Sequence, residues 1–358
     1  MNVAIILRTF PPDIIGGMET QTKRMATELH EAGHDVTVFT KRFGKPDDTD
    51  VPYEVARVRH WQLNPFVSDL TFLVFALLAL LRRRNEFEVL QCMMIYPMGF
   101  LGYVVNKLTG LPYFAWIRGG DYYLMNDVGW KRWMMRRVLA DTLVLAQSEE
   151  IRDDITADFD DIDCEIEVLG NGVSVPDETA DGDGVLYVGR LAPKKGLEYL
   201  LEAMADIDAH LTVVGDGSER NRLETLAAKL DVDITFVGEV EPEDVGKYYR
   251  DAGVFVLPSL EGEGMPNVVL EAMSWGLPVV ATDSGGLPTM IKDGENGFLV
   301  PMRNSDLLAT RLTELLEESK KQTKMGRAAR KHVRESYSWN WLIEELSIVY
   351  SKTIARSE

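Results

Sequence analysis

Cysteine is scarce in this 358-residue sequence, and basic residues are outnumbered by acidic ones. Its two cysteines, Cys92 and Cys164, are too few for a disulfide framework and lack the spacing of a zinc site, so a reducing, cytoplasmic location is expected. The 38 Lys and Arg residues stand against 57 Asp and Glu, which gives a net charge of −19. A charge of this sign argues against a nucleic-acid-binding protein.

Targeting and dinucleotide-binding motifs are also missing. The N-terminal segment MNVAIILRTF has no charged leader region and no cleavage site, which predicts a first strand instead of a signal peptide. Gly-x-Gly-x-x-Gly does not follow that strand, which disfavours a nicotinamide-dependent dehydrogenase. The Asp-x-Asp pattern at Asp181 and Asp183 lies in an acidic Asp/Gly run, where solvated charge is the ordinary interpretation, so no metal site is predicted.

Charge is unevenly distributed along the chain. Residues 1–145 hold 17 Lys and Arg against 15 Asp and Glu, whereas the remaining 213 residues hold 21 against 42. The first part contains the charge-free run from Leu70 to Leu81, followed by three arginines; a helix of that length spans about 18 Å and is too short to cross a bilayer. A buried helix is the ordinary interpretation. A second basic and apolar stretch, residues 131–137, leaves peripheral contact with the inner face of the cell membrane as the alternative.

Alternating strand and helix patterns predict two doubly wound α/β domains. The N-terminal domain is predicted over residues 1–175 and the second over 185–337, joined by a flexible acidic linker at 176–184 and followed by a last helix within 338–358. The predicted strands lie near residues 3–9, 35–40, 53–58, 88–94, 112–117 and 142–147, and then near 185–188, 210–214, 233–237, 254–257, 278–282 and 298–300.

The stretch VFVLPSLEGEGMPNVVLEAMSWG, residues 254–276, is a strand, a loop and a helix in sequence. The helix is predicted to begin at Pro266, and its first backbone N–H groups favour an anion. Glu263 and Glu271 flank this position, and carboxylates beside a phosphate suit a ligand that also carries sugar hydroxyls. An ordinary strand–loop–helix unit with solvated glutamates is the alternative.

A second stretch, GRLAPKKG at residues 189–196, directly follows the apolar strand at 185–188. It places Arg190 and Lys195 at the mouth of another strand–loop–helix unit. Two cations and the glycine turn at Gly189 are what a diphosphate group requires.

Together the two stretches resemble the nucleotide-sugar glycosyltransferases of family 4, which have the GT-B fold. The family's Glu-x7-Glu motif is matched by Glu263 and Glu271, and its Gly-Arg-x-x-x-Lys-Gly motif by residues 189–196. The loop sequence is Glu-Gly-Glu-Gly, so Glu261 is the alternative first glutamate, although counting back from Glu271 favours Glu263.

The resemblance implies two Rossmann-like domains facing a central cleft, with the C-terminal helix crossing back to the first domain. It implies that the first domain faces the acceptor and that the second binds the nucleotide sugar. In the first domain it carries a ligand-facing role onto Gly16 and Gly17 of the loop PPDIIGGME; a plain turn is the alternative. It also places Arg118 where many members have histidine, and Asp121 is the alternative partner for that arginine.

The implied activity is that of a retaining, metal-independent transferase of the hexosyltransferase type. Its donor is a UDP- or GDP-sugar bound as substrate, with no cofactor, and its acceptor is a glycan or a lipid-linked molecule. Glu263, Arg190 and Lys195 are the predicted catalytic residues, and the remaining predicted donor-binding residues are Glu271, Gly16, Gly17, Gly189, Gly264, Met265, Pro266, Asn267, Val268, Gly238 and Arg118. A nucleotide-sugar epimerase of the same fold and a non-catalytic partner subunit remain alternatives.

Overall fold

The computed structural model describes residues 1–14, 16–44, 50–123, 128–261 and 264–357. The chain divides into two compact units. Unit 1 comprises Met1–Gly172 and Trp339–Glu358, and unit 2 comprises Val173–Ser338. The first unit therefore ends at Gly172, slightly before the predicted domain end at residue 175.

Unit 1 is built on a parallel sheet of seven strands in the order β3-β2-β1-β4-β5-β6-β7. Its members pair in register along the chain's apolar runs; Val3 of β1, for example, lies opposite Val36 of β2 and Val89 of β4. The strands are β1 (Asn2–Ile6), β2 (Asp35–Lys41), β3 (Glu54–Val58), β4 (Val89–Cys92), β5 (Tyr113–Ile117), β6 (Val144–Ala146) and β7 (Ile166–Val168).

Helices cover both faces of this sheet because alternate strand side chains point to opposite sides. The helices are α1 (Gly17–Glu31), α2 (Pro65–Arg83), α3 (Phe100–Thr109), α4 (Gly120–Tyr123), α5 (Gly129–Leu139), α6 (Glu149–Asp158) and, from the C-terminus, α14 (Trp339–Ala355). Ala4 and Ile6 enter one core with α2, α3, α5 and α6, whereas Val3 and Ile5 enter the other with α1 and α14.

The C-terminal helix α14 packs on the first sheet, as the prediction of a helix returning to the first domain requires. Its apolar face includes Leu342, Leu346 and Tyr350, which are buried against α1 and the strands. The Tyr350 hydroxyl donates a 2.6 Å hydrogen bond to Oε1 of Gln91 in β4, so this buried hydroxyl is satisfied.

Unit 2 is built on a parallel sheet of six strands in the order β10-β9-β8-β11-β12-β13. This is a doubly wound order in which the strand order reverses between the first and fourth strands, here β8 and β11, and ligands bind at the carboxyl ends of strands at such a point. The strands are β8 (Val185–Val188), β9 (Leu211–Val214), β10 (Ile234–Gly238), β11 (Val254–Leu257), β12 (Val279–Thr282) and β13 (Gly297–Val300).

The helices of unit 2 bury their apolar faces against this sheet. In α10, for example, Val269, Leu270 and Met273 are fully buried. The helices are α7 (Leu197–Met204), α8 (Arg220–Leu230), α9 (Gly246–Arg250), α10 (Asn267–Ser274), α11 (Leu287–Met290), α12 (Ser305–Glu317) and α13 (Ser319–Ser336).

The acidic segment at residues 176–184 is not a free linker. The backbone N–H of Ala180 donates to Trp275 O at 2.7 Å, and that of Asp181 donates to Arg250 O at 3.1 Å. The Arg330 guanidinium binds the carbonyl groups of residues 176–178. The prediction that Asp and Gly content makes this segment flexible is therefore wrong, because the backbone supplies the hydrogen bonds and the charges stay in solvent.

Three short elements have no counterpart in the sequence patterns. Strand β7 and helices α4 and α11 have only three or four residues each, too few for a periodic apolar pattern. The predicted start of α10 is also one residue early. Pro266 caps the helix with extended backbone at φ −72° and ψ 114°, and the helix begins at Asn267.

Candidate active site

The loop after β8 brings two of the predicted cations to the carboxyl edge of the sheet in unit 2. Arg190 is exposed, two residues beyond the end of the strand, and its carbonyl accepts a 3.1 Å hydrogen bond from the Tyr187 hydroxyl. Lys195 ends a short 3₁₀ turn, Pro193–Lys195, and is half-buried. The buried strand thus fixes the loop while the Arg190 side chain stays in solvent.

Gly196 holds this loop against the loop that follows β11. Its backbone has a φ of +66°, and a Cβ there would lie 2.1 Å from the Pro258 carbonyl oxygen. The Leu260 N–H donates a 2.8 Å hydrogen bond to Lys194 O across the same contact. Only glycine allows this backbone approach without strain, so the lysine and the loop leading to α10 are held together.

Glu271 lies one turn into α10, and its carboxylate is largely enclosed. The Tyr249 hydroxyl of α9 donates a 2.8 Å hydrogen bond to Oε2. Burial raises the pKa of Glu271 above its usual range, and the hydrogen bond from Tyr249 partly offsets that rise. No described residue donates to Oε1, which leaves that oxygen available as an acceptor.

The residues before and at the start of α10 form the other side of this edge. Gly264 is exposed, Met265 is buried, and Pro266, Asn267 and Val268 are half-buried. The first turn of any α-helix presents N–H groups without intrahelical partners, so this end of α10 favours a negatively charged group. Glu263, one of the predicted catalytic residues, lies outside the described residues, whereas Glu261 is described and exposed.

A cavity of about 480 Å³ opens beside Arg190 at the ends of β8, β9 and β10. Its lining consists of Val188, Gly189, Arg190, Val214, Gly215, Asp216, Gly217, Glu239, Val240 and Val245. Gly238, predicted in the loop after the strand, is the last residue of β10 and has a φ of +91°.

Arg118 in unit 1 follows β5 and is held by neighbours other than Asp121, its alternative partner. Its guanidinium lies over the Trp116 ring, 3.9 Å from the centroid, and donates to the side chain of Asn171. Asp121 does not pair with the guanidinium. Its carboxylate accepts the backbone N–H groups of Arg118, at 3.0 Å, and Ile95, at 2.8 Å. Burial raises the pKa of Asp121 to about 6.

The two glycines after β1 differ in their surroundings. Gly16 caps α1, and a Cβ there would lie 2.6 Å from Oε2 of Glu19, whose other carboxylate oxygen accepts from the Thr9 hydroxyl at 2.6 Å. A Cβ at Gly17 would meet no described atom within 4 Å. Packing within unit 1 therefore accounts for glycine at position 16, while the backbone of Gly17 faces open space.

Two family models together match most of the chain. "Glycosyltransferase Family 4" matches residues 15–175, and "Glycosyl transferases group 1" matches residues 177–332. The chain is a family 4 glycosyltransferase. The two matched segments correspond to the two parallel-sheet units, so both the family and the GT-B fold predicted from the sequence are confirmed.

This glycosyltransferase is similar in sequence or in fold to several known proteins. It is 28% identical to an uncharacterized glycosyltransferase of Methanocaldococcus jannaschii over 98% of both chains. It is 34% identical, over 44% of each chain, to the GDP-mannose-dependent monoacylated α-(1-6)-phosphatidylinositol monomannoside mannosyltransferase of Corynebacterium glutamicum. The Anabaena protein HepE, solved with UDP, shares its fold with a TM-score of 0.77 at 16% identity, over 98% of this chain and 100% of that one.

Sequence reasoning missed some residues of the glycosyltransferase's site. Tyr249 lies in a five-residue helix with no motif around it, and its contact with Glu271 arises only because α9 and α10 are neighbours in space. Val240 and Val245 line the cavity but follow no pattern that distinguishes them from other loop valines. Within the described ranges, no three His, Cys, Asp or Glu side chains cluster closely enough to hold a metal ion.

The identity of the first motif glutamate can be tested directly. We expect Glu263→Ala to lower turnover of the sugar nucleotide at least about tenfold, because a hydrogen bond to a charged group contributes roughly 1.5–3 kcal/mol. Glu261→Ala is the matched control two residues away and should retain activity. Steady-state rates with saturating acceptor distinguish the two. A damaging Glu261→Ala with a silent Glu263→Ala would reverse the assignment.

Proposed function

We propose that this glycosyltransferase moves a hexose from a nucleotide diphosphate sugar to an acceptor with retention of anomeric configuration and without a metal ion. The observation that carries the proposal is the junction of two loops in unit 2. The contact between Gly196 and Pro258 holds the Arg190–Lys195 loop beside the loop that leads into α10. Two cations and a helix N-terminus then share one edge of the sheet, at its topological switch point.

This arrangement suits a diphosphate leaving group. When the bond between the sugar's anomeric carbon and the phosphate oxygen breaks, the electron pair stays on that oxygen and negative charge grows on the diphosphate. Arg190 and Lys195 would neutralise this charge as it develops, which is electrostatic stabilisation of the transition state. The N–H groups at the start of α10 would add to it, and Glu263 would hold hydroxyls of the transferred sugar.

The nucleoside would occupy the remaining part of the edge. Glu271 would accept hydrogen bonds from the ribose hydroxyls through Oε1, while Tyr249 holds Oε2. The base would enter the cavity of about 480 Å³ beside Gly189 and Glu239, whose size suits one aromatic ring system with its solvent. The relative that is GDP-mannose-dependent and the similar fold solved with UDP support a purine or pyrimidine nucleotide as the ligand class.

The acceptor would meet unit 1. Gly17 faces open space after the carboxyl end of β1, and Arg118 lies at the carboxyl end of β5 with its buried Nε unpaired among the described residues. Arg118 would hold an anionic or hydroxyl group there. The mannosyltransferase relative is named for a phosphatidylinositol monomannoside, and this supports a lipid-linked acceptor.

A ligand screen tests the donor assignment. We expect one of UDP-, GDP- or ADP-sugars at 100 times its Kd to stabilise the protein by roughly 2.7 kcal/mol, which raises Tm by roughly 5–10 °C for a domain of this size. Thermal shift should be the same with and without EDTA. NMR of the product should show the donor's anomeric configuration.

The controls separate the parts of this proposal. The free sugar without nucleotide should give no shift, because the diphosphate and ribose contacts are absent. A shift that requires a divalent ion would contradict the metal-free mechanism, and an inverted product would contradict retention. No shift with any sugar nucleotide would overturn the donor assignment itself.

A further inference from the structure

Helix α2 carries a row of large apolar side chains that face solvent. Their spacing of four residues places them on one side of the helix. The row, here called the apolar stripe, consists of Phe66, Leu70, Val74 and Leu78, whose exposed fractions are 67, 50, 48 and 40%. Trp61 and Leu63, in the segment before the helix, are also exposed. A row of large apolar side chains facing solvent indicates an interaction site.

The opposite side of α2 belongs to the core of unit 1. Phe72, Ala76 and Leu80 are fully buried there against the sheet. The sequence interpretation of α2 as a buried helix therefore holds for this side alone, because only 17% of the most apolar 18 residues of the helix are buried. With its 3₁₀ turn the helix spans 22 residues, Pro65–Glu86, which in length and composition could cross a membrane, so the prediction that this segment is too short to do so is wrong. Its core side chains instead favour a helix lying flat on a surface.

Helix α5 adds two exposed tryptophans on the same side of the sheet. Trp130 and Trp133 are each about half exposed, and both α2 and α5 pack against α3. Lys131 lies 5.6 Å from the Trp130 ring centroid, and Arg137 lies 5.2 Å from that of Trp133. Tryptophan beside a cation is typical of the boundary between lipid tails and headgroups.

The last turn of α2 supplies further positive charge. Arg82 and Arg84 are largely solvent-accessible, whereas Arg83 forms ion pairs with Glu54 and Glu86. The part of the chain that contains all these residues, 1–145, has a net charge of +2, and the remainder has −21. An anionic surface would therefore attract the exposed cations at the end of α2 and on α5.

We infer that the apolar stripe, Trp130 and Trp133 rest on the anionic leaflet of a membrane, with Arg82, Arg84 and Arg137 at the headgroups. The inference deepens the proposed function, since such a leaflet would present a lipid-linked acceptor to unit 1. Charge favours a leaflet over a second copy of this chain. Two copies meeting through this face would bring their own arginines together, whereas a leaflet brings the opposite charge.

Vesicle flotation tests the inference with the full chain. We expect the wild type to float with vesicles of phosphatidylglycerol and phosphatidylcholine at low salt. Changing Arg82, Arg84 and Arg137 to Gln should lower the partition coefficient roughly a hundredfold, since each cation contributes about fivefold near an anionic leaflet. Leu70→Gln with Leu78→Gln should lower it at least about tenfold and should do so at high salt as well.

Matched controls come from exposed positions elsewhere. Helix α13 carries exposed cations, so Lys320, Lys324 and Arg327 changed to Gln remove the same charge from unit 2. Ile348→Gln removes an apolar side chain that is 47% exposed on α14. Both controls should float like the wild type. Equal flotation of the α2 variants and the wild type, or none by the wild type, would overturn the inference.

Sedimentation and thermal shift separate membrane contact from self-association and from donor binding. Sedimentation should show the same mass for the wild type and the Leu70→Gln, Leu78→Gln variant; a wild-type dimer that this variant dissociates would make the stripe a self-association surface and overturn the inference. Thermal shift with sugar nucleotides should be unchanged in the variants. If the wild type floats but binds no sugar nucleotide, the proposed function fails while the membrane contact stands.

Discussion

Lys195→Ala is expected to lower kcat/KM for the sugar nucleotide at least about tenfold. The lysine follows the strand β8 and sits in the turn that Gly196 holds against Pro258, so the loop that carries its ammonium group has a fixed position at the sheet edge. A charge-assisted hydrogen bond to a diphosphate contributes roughly 1.5–3 kcal/mol, and about 1.4 kcal/mol is one factor of ten in rate. Arg190→Ala should have an effect of the same size.

Lys194 is the matched control for this prediction. It is exposed in the same 3₁₀ turn, and its backbone carbonyl takes part in the loop contact through the hydrogen bond from Leu260. Lys194→Ala keeps that carbonyl and should therefore keep wild-type turnover in the same assay. Wild-type turnover by both Lys195→Ala and Arg190→Ala would remove the diphosphate assignment, and a loss in all three variants would indicate a general effect of charge.

The two sheets could be predicted from the sequence because parallel strands are buried on both faces and therefore form uniformly apolar runs. Runs such as Val185–Val188 and Val254–Leu257 are uniformly apolar, and both strands have the predicted bounds. The motif cations could be placed as well, because they follow such a strand closely and the carboxyl ends of parallel strands share an edge. Sequence patterns therefore predict those site residues that directly follow a buried strand.

Contacts between elements distant in sequence could not be predicted in the same way. The Tyr249 hydroxyl donates to Glu271, and the Asp121 carboxylate accepts from two backbone N–H groups. No rule of sequence spacing relates these residues to their partners. The exposed stripe of α2 was hidden for another reason. Apolar residues occupy nearly every side of this helix, so its sequence does not indicate which side faces solvent. Only the packing of the folded unit shows that.

The segment at 176–184, which is part of unit 2, shows the same limit for charge. Its aspartates predicted flexibility, but Gly182 lies so close to Asp251 that a Cβ would be 2.0 Å from the Asp251 carbonyl oxygen. Glycine here permits a tight backbone contact instead of motion. Composition reports how a segment is solvated, whereas backbone hydrogen bonds decide whether it is ordered.

Glu271→Ala should weaken binding of the free nucleotide at least about tenfold, and of the sugar nucleotide equally. The carboxylate would hold the ribose, which both ligands contain, so the loss is the same for each. Glu263→Ala should instead weaken the sugar nucleotide more than the free nucleotide. Isothermal titration with both ligands measures the difference. A Glu271→Ala protein that binds the free nucleotide like the wild type would exclude the ribose contact.

The pH dependence of binding gives an independent test through Tyr249. Burial raises the pKa of Glu271, and the Tyr249 hydroxyl lowers it by donating to Oε2. Tyr249→Phe removes that donor, so the pKa of Glu271 should rise further and its carboxylate should protonate at a higher pH. Nucleotide affinity should then begin to fall at a higher pH on acidification than in the wild type, with wild-type affinity kept at alkaline pH. An unchanged acidic limb would mean that Glu271 is not the group whose ionisation controls binding.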